Sequence, residues 1–364
     1  MKRRLLALLA IATATACSTT PSPLPASPTP PTALETPAAD PWALVALPDF
    51  DRSGLSGIVA TEHLVVAVGA HDSQGATWES ADGGPWSFEA LRKDSGLPGA
   101  VVALGERIVA VGMNSTPRCA HPSEEAFWIR DPESRWVAQP FDEMFCAGGA
   151  WSLGVVDARV AIVGAGTGDV PFAWFSDDGE RWIDSGFPRN LFPRLLAASG
   201  HDFVALGTAA DGIVAIARSD GRNPWVVSPA AGLPIGLAPA TMVEGGDGLI
   251  AWFTDETGAQ RTFTSARGDL WRPFAQQGID GILMSNVRKV DRAYVALARD
   301  RGGEVLLVSA DATSWRRVPT PGAIGPTGTL RDLAIRRKAV YLLAAPETDG
   351  VTRLWMADSA LLAP

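Results

Sequence analysis

The chain has 364 residues, a formal net charge of −9 and a hydrophobic content of 46%. This content is enough to fill a large core. The acidic balance argues against a nucleic-acid partner, because such binding depends on Lys and Arg neutralising phosphates. The four histidines lie far apart and the three cysteines form no Cys-x-x-Cys pair, so the sequence has no metal-ligand spacing. We expect neither a metal nor another cofactor.

The N-terminus carries the features of an export signal. Basic residues 2–4 precede a short apolar run, and small residues lead up to Cys17. The run is too short for a membrane span, which takes about 20 residues. Segment 14–17 resembles a bacterial lipobox, although Ala14 stands where that motif prefers Leu. The resemblance implies a signal peptide over 1–16 and a lipoprotein anchored on the extracytoplasmic side of the cell membrane; ordinary cleavage before the cysteine would give a secreted protein instead.

Residues 17–40 form the next predicted segment, and they are mostly Pro, Ser, Thr and Ala. Nothing in this composition can build a core, and proline keeps the backbone extended. We therefore predict a semi-rigid linker between the lipidated cysteine and a folded domain. A disordered tail would have the same composition, but the lipobox directly before the segment favours the linker.

An internal repeat organises residues 41–364. Seven tryptophans recur about every 43 to 50 residues, a period that suits a four-stranded blade of a β-propeller: Trp42, Trp86, Trp136, Trp182, Trp225, Trp271 and Trp315. Each repeat also contains an apolar strand that is preceded, at a fixed distance, by one large apolar residue: Ile58, Val101, Leu153, Leu196, Met242, Val287 and Leu333. We expect this column to lie on the innermost strand of each blade.

The residues before six of these tryptophans repeat as well. Six positions before the tryptophan stand Ser80, Arg130, Ser176, Ser219, Ser265 and Ser309. Four positions before it stand Asp82, Pro132, Asp178, Gly221, Arg267 and Asp311, and three before it stand Gly83, Glu133, Gly179, Arg222, Gly268 and Ala312. Short Ser and Asp side chains can bond to nearby backbone amides and close a tight turn, and Gly tolerates a positive φ there.

This pattern resembles the Asp-box (BNR-type repeat) of sialidases and related propellers, shortened by one residue. The resemblance implies a structural role for the best-matching positions: Ser80, Asp82, Gly83, Trp86, Ser176, Asp178, Gly179, Trp182, Ser265, Gly268, Trp271, Ser309, Asp311 and Trp315. The last repeat lacks a box tryptophan, and the first tryptophan has no blade before it. We therefore predict an all-β, seven-bladed propeller of four-stranded blades, closed by pairing the N-terminal strand with the C-terminal blade, which removes exposed sheet edges.

The topology divides the loops between two faces. With the strands of a blade labelled A to D from the axis outward, the A-to-B and C-to-D turns lie on one face (the AB/CD face). The D-to-A and B-to-C loops lie on the other (the DA/BC face), around the axial channel. Cys119 and Cys146 fall on neighbouring loops of the DA/BC face. If Cys17 carries lipid, an exported chain is expected to join the other two in a disulfide, with a pair of free thiols as the alternative.

Candidate ligand residues lie on the DA/BC face: Arg118, Asp142, Glu143, Arg189, Arg194, Arg288, Arg331 and Asp332. In sialidases, arginines from three blades clamp a carboxylate, and the resemblance implies such a role for Arg194, Arg288 and Arg331. A solvated loop rim is the alternative. The sialidase Phe-Arg-Ile-Pro motif is absent. Tyr294 and Tyr341, the two tyrosines of the chain, are predicted to lie inside strands rather than to act as nucleophiles.

The sequence favours a binding protein over an enzyme. No complete catalytic constellation is found, so we assign no catalytic residue. We predict a monomeric, membrane-anchored scaffold or binding module that recognises a protein or a cell-envelope glycan through one propeller face. The alternatives are a diverged glycan-active hydrolase or lyase, and an assembly factor for envelope proteins. A deep axial pocket with converging arginines and a carboxylate would favour the enzyme.

Overall fold

The computed structural model describes residues 40–91, 96–112, 127–131, 133, 135–139, 149–166, 169–290 and 293–363. This part of the chain forms seven four-stranded antiparallel sheets and two short 3-10 helices, Gly322–Ile324 and Ser359–Leu362. The prediction of an all-β, seven-bladed propeller is therefore confirmed. Within the described ranges, no helix is long and apolar enough to cross a membrane.

The strands follow one another in blade order. β1 (Ala43–Leu44) belongs to blade 7. Blade 1 contains β2 (Ser53–Ala60), β3 (Leu64–His71), β4 (Gln74–Ala81) and β5 (Trp86–Ala90); blade 2 contains β6 (Pro98–Leu104), β7 (Arg107–Gly112), β8 (Phe127–Arg130) and β9 (Trp136–Gln139). Blade 3 contains β10 (Gly149–Val156), β11 (Arg159–Ala165), β12 (Pro171–Ser176) and β13 (Ile183–Asp184); blade 4 contains β14 (Leu191–Ser199), β15 (Asp202–Ala209), β16 (Val214–Ser219) and β17 (Val226–Pro229).

The remaining blades complete the ring. Blade 5 contains β18 (Ala238–Gly245), β19 (Gly248–Thr254), β20 (Gln260–Ser265) and β21 (Arg272–Pro273). Blade 6 contains β22 (Leu283–Val290), β23 (Ala293–Asp300), β24 (Gly303–Ser309) and β25 (Arg316–Val318). Blade 7 contains β26 (Thr329–Arg336), β27 (Ala339–Ala345), β28 (Arg353–Asp358) and β1 as its strand D.

The two ends of the chain meet in blade 7, as predicted. Ala43 pairs with Met356 and Leu44 with Trp355. The side chain of Trp42 is buried, and its indole nitrogen donates to the carbonyl oxygen of Pro319 in blade 6 at 2.7 Å. The N-terminal strand therefore completes the last sheet and also holds it against the preceding blade.

The core lies between successive blades. The second strand of each blade is a nearly continuous apolar run because both of its faces are covered, as in residues 65–68 and 203–206, which are fully buried. Six residues of the predicted inner column are buried, and Leu153 is half-buried. Each large apolar side chain buried in this way stabilises the fold by about 1.5–3 kcal/mol relative to exposure.

The box turns of blades 3 and 6 have the geometry expected from their side chains. One carboxylate oxygen of Asp178 accepts the backbone N–H groups of Glu180 and Arg181, both at 2.8 Å. Asp311 accepts in the same way from Ser314 at 3.0 Å and from Thr313 at 2.7 Å. These two donors lower the pKa of the Asp311 carboxyl below its ordinary value. The carboxylates thus fix the turns in their charged form.

Two blades differ from the expected register. In blade 4, Asp220 accepts the N–H groups of Arg222 and Asn223, both at 2.8 Å. Asp220 thus makes the contacts expected of the box aspartate, although Gly221 stands four positions before the tryptophan, where the pattern places that aspartate. In blade 1, the Asp82 carboxylate instead lies 3.3 Å from the ring nitrogen Nδ1 of His63. It also accepts a hydrogen bond from the guanidinium of Arg336 in blade 7 at 2.9 Å. Its hydrogen bond with His63 is the main cause of a lowered pKa, and its role is to join two blades rather than to cap its own turn.

Arginines join further blades at the AB/CD face. Arg107 of blade 2 donates to the carbonyl oxygen of Asp178 in blade 3 at 2.9 Å. Arg159 of blade 3 and Arg218 of blade 4 make the equivalent contact with the box turn of the next blade, at 3.0 and 2.8 Å. These guanidinium groups donate to backbone carbonyls in the turn of the next blade. Side chains therefore hold adjacent blades together at the AB/CD face.

Candidate functional site

Every strand A carries one β-bulge at the same place, two residues before the inner apolar column. The bulged positions are Ser56, Gly99, Trp151, Arg194, Ala240, Ser285 and Arg331. A bulge inserts one extra residue and re-aims the side chains around it. The ring of strands therefore repeats, seven times, a position at which a side chain can be directed toward the axis.

The bulge positions are used in different ways. The Ser285 hydroxyl donates to the strand B carbonyl of Leu297 in its own blade at 2.9 Å, whereas the Ser56 hydroxyl lies 3.1 Å from the strand B carbonyl of its own blade and 2.5 Å from the carbonyl oxygen of Pro98 in blade 2. Gly99 and Ala240 present no polar side-chain group at this position. Arg331 is exposed and lines the axial cavity. Among the bulge residues that line the axial cavity, Arg331 is thus the one with a charged side chain.

The axial cavity has a volume of about 480 Å³ and receives residues from strand A of all seven blades. Its lining is mixed, because the apolar column alternates with polar residues such as Ser152, Thr241 and Asn286. Its charged residues are Arg288, Arg331 and Asp332. This volume falls within the roughly 300–1,000 Å³ range of ligand pockets, so the channel can accept a small group or the end of a chain.

The one carboxylate of this lining is already engaged. An oxygen of Asp332 lies 2.6 Å from the Arg288 guanidinium, and the carboxylate accepts the backbone N–H groups of Ile58 at 3.0 Å and Leu333 at 2.8 Å. Burial raises the pKa of Asp332, while Arg288 and the two backbone donors act in the opposite direction. A side chain with three donors that is 10% exposed is poorly placed to act on a ligand as a base.

Asp332 belongs to a repeated contact between blades that the sequence analysis missed. The residue directly after the bulge accepts the backbone N–H of the inner-column residue in the next blade. Ser152 does so for Leu196 and Thr241 for Val287, both at 3.2 Å, just as Asp332 does for Ile58. The signal in the sequence is a short polar residue immediately before each of these column residues, but its partner is more than forty residues away.

The other predicted ligand residues are separated. Arg189 and Arg194 of blade 4 are exposed on the DA/BC side, and Arg288 bonds with Asp332 and the carbonyl oxygen of Leu333. The structure therefore brings Arg288, Arg331 and Asp332 together in the axial cavity, but Arg194 does not line that cavity. The following predicted residues lie outside the described ranges: Cys17, Arg118, Cys119, Asp142, Glu143 and Cys146.

Both tyrosines are buried within the blades. Tyr294 and Tyr341 lie on β23 and β27, and burial raises the pKa of each phenol above its ordinary value. Neither lines the axial cavity. In the ranges that the structure describes, no three His, Cys, Asp or Glu side chains are grouped closely enough to hold a metal ion. At the axis, the guanidinium of Arg331 can hold an anionic group.

Exposed apolar side chains are concentrated on the DA/BC face and on the outer strands. On the DA/BC face they are Leu97, Val170, Ile213, Ile235 and Leu283, and the side chain of Ile235 is 88% exposed. Leu270 is exposed in the blade 5 turn of the AB/CD face, but most of the exposed side chains in the described turns of that face are polar or charged. Exposed apolar groups beside a cluster of polar ones are typical of surfaces that contact another protein.

The fold has known counterparts, although no protein-family model and no curated protein matches the chain. A structure described as YCF48 bound to D1 peptide has a TM-score of 0.58 at 15% identity, covering 88% of this chain and 97% of that one. The β-propeller domain of the Trilobed protease from Pyrococcus furiosus scores 0.56 at 12% identity, covering 84% and 95%. The BP39L lectin from Burkholderia pseudomallei scores 0.57 at 14%, covering 84% and 96%. These likenesses show the propeller fold alone.

Proposed function

We propose that the protein is a membrane-anchored, extracytoplasmic binding module that recognises a protein partner through the DA/BC face. The observation that carries the proposal is the exposed guanidinium of Arg331 at the axial cavity, on a face that also presents exposed apolar residues such as Ile235. Arginine and large apolar side chains are the residue types that dominate protein interfaces. A partner segment with an acidic group and an apolar side chain would match this pairing.

Binding fits the axial site better than catalysis does. The carboxylate of Asp332 is held by Arg288 and two backbone donors, and the tyrosines are inside the blades. The carboxylate is thus already engaged by three donors, and the tyrosines do not line the cavity. The YCF48 propeller has been solved with a bound peptide, and a comparable use of this propeller is part of the proposal.

Replacing Arg331 with Ala is expected to weaken capture of the partner at least tenfold, because truncating an interface hot spot typically costs about 2 kcal/mol or more and tenfold corresponds to about 1.4 kcal/mol. Ile235→Asp should have a similar effect by placing a charge on the apolar part of the face. The full chain, tagged and cross-linked in the cells that produce it, is recovered and its cross-linked proteins are quantified by mass spectrometry. Thermal unfolding should be unchanged, because exposed substitutions shift stability by about ±0.5 kcal/mol.

The matched control is Arg181→Ala, since Arg181 is an exposed arginine of the AB/CD face. It should leave the captured proteins unchanged. If the Arg181 variant loses a captured protein that the Arg331 and Ile235 variants retain, recognition occurs on the other face and the proposal is wrong.

The anchor is proposed from Cys17 and the lipobox-like segment before it. A Cys17→Ala variant should no longer incorporate a labelled fatty acid, because the thiol that would carry the lipid is gone. It should be found in the medium or as an uncleaved precursor. The measurement is fatty-acid labelling followed by fractionation of cells and medium. Equal lipid labelling of the variant and the natural protein would contradict the anchor.

A further inference from the structure

A second cavity of about 360 Å³ lies between blades 4 and 5 on the AB/CD face. One wall is formed by strands C and D of blade 4, including Ile216 and Val226. The opposite wall is the C-to-D turn of blade 5, with Arg267 and Asp269. The cavity shares no lining residue with the axial cavity, so it is independent of the proposed function.

The blade 5 turn departs from the box pattern at this cavity. Arg267 occupies the position of the box aspartate, and within the described residues its guanidinium makes no hydrogen bond or ion pair. The turn is held without it. Ser265 accepts the N–H of Gly268 at 2.8 Å, and the N–H of Trp271 donates to the carbonyl oxygen of Ala231 at 2.8 Å. The guanidinium of Arg267, with its five N–H donors, therefore lines the cavity without taking part in the contacts that hold the turn.

The blade 4 wall presents acceptors in fixed positions. The amide nitrogen of Asn223 donates to Asp220 at 2.9 Å, which directs the carbonyl oxygen of that side chain away from the carboxylate. Arg218 and Asp202 are paired at 2.7 Å. The hydroxyl of Ser228 also lines the cavity and makes no hydrogen bond with any described residue. Because the turn and the ion pair hold these side chains, the wall is ordered before any ligand arrives.

The chemistry of the two walls selects an uncharged ligand. Of the three carboxylates and two guanidinium groups in the lining, Asp202 and Arg218 are paired with each other, and Asp220 is engaged by the N–H groups of its own turn. The two remaining charges, on Asp269 and Arg267, offset each other, so the cavity favours neither an anion nor a cation. Donors and acceptors alternate with apolar surface, since the side chain of Val226 is 65% exposed and Pro224 lies beside it. Sugar rings combine hydroxyl groups that donate and accept with apolar C–H faces. We propose that this cavity binds a neutral saccharide.

The test measures binding of neutral oligosaccharides of glucose, galactose, mannose and arabinose to the full chain by calorimetry. Arg267→Ala should weaken the binding of the best of them at least tenfold, and Ser228→Trp, which fills the cavity, should abolish it. The matched control is Arg222→Ala, because Arg222 is an exposed arginine of the neighbouring turn that does not line this cavity. It should bind as the natural protein does, with the same melting temperature.

Three outcomes would overturn the proposal: no neutral saccharide binds, only acidic saccharides bind, or binding survives both Arg267→Ala and Ser228→Trp. Should the tryptophan variant fail to fold, Arg267→Ala and Arg267→Gln decide the matter, since neither enlarges a buried group. Arg331→Ala must leave saccharide binding unchanged. If this variant loses the protein partner but still binds the saccharide, the two sites are separate. The failure of one proposal can then be distinguished from the failure of the other.

Discussion

Deletion of residues 41–47 is expected to abolish the folded monomer. The deletion removes β1 and the buried indole of Trp42, and it leaves residues 354–356 at an open sheet edge. Loss of a buried tryptophan alone costs about 3–5 kcal/mol. The pairing with β28 and the contact with Pro319 are lost in addition. An exposed apolar edge also pairs with other chains, so we expect aggregates.

The measurement is light scattering coupled to size-exclusion chromatography, with thermal unfolding of whatever remains soluble. The control is a deletion of equal length within the predicted linker, residues 24–30, which should leave the oligomeric state and the melting temperature unchanged. A deletion of 41–47 that yields a monomer with the natural melting temperature would show that the N-terminal strand is dispensable for the ring.

Asp332→Ala is expected to lower the free energy of unfolding by about 2–4 kcal/mol. Breaking a buried ion pair costs about 3–5 kcal/mol when the remaining charge stays buried. Arg288 is 41% exposed, so solvent screens its share and the expected cost is smaller. The backbone N–H groups of Ile58 and Leu333 then lose their acceptor, at about 1–3 kcal/mol for each one that stays buried. Because Ile58 belongs to blade 1, the substitution weakens the junction between the last blade and the first.

Urea unfolding at neutral pH measures this effect. Asp332→Asn should fall between the natural protein and the alanine variant, because its amide oxygen can still accept an N–H but carries no charge for Arg288. Asp247→Ala provides the control, since this exposed aspartate makes no hydrogen bond with the described residues. A loss below about 0.5 kcal/mol for Asp332→Ala, the size of an ordinary surface substitution, would show that the carboxylate is not needed at the junction.

The ring was predictable because it depends on spacing. Seven tryptophans and one apolar column recur with a nearly constant period, and a propeller blade is the unit that such a period describes. Ring closure followed from the two incomplete ends. The spacing of the tryptophans and of the apolar column is unchanged when single box residues are substituted. The fold could therefore be predicted although three repeats lack the box aspartate at its expected position.

The side-chain roles were harder to predict because they depend on direction and on partners in other blades. Arg331 and Asp332 both line the axial cavity, yet the bulged Arg331 is exposed, whereas Asp332 is buried and bonds to Ile58 of blade 1. Asp220 caps its turn from five positions before the tryptophan, one position earlier than the repeat pattern predicts. Asp82 matches the box pattern and nevertheless bonds to blade 7. Sequence spacing fixes where a residue lies along a blade but not which neighbour its side chain reaches.

The shared construction of blade 7 sets the order in which the molecule can fold. Blades 1 to 6 each come from one continuous segment, whereas Ala43 must pair with Met356. These residues are about 310 positions apart, and the entropy lost on closing so long a loop makes this the most demanding contact in the sheet network. At roughly 5–20 residues per second, synthesis separates the two strands by about 15–60 s. Until β28 has been made, β1 has no strand to pair with, so closure of the ring has to wait for the last blade.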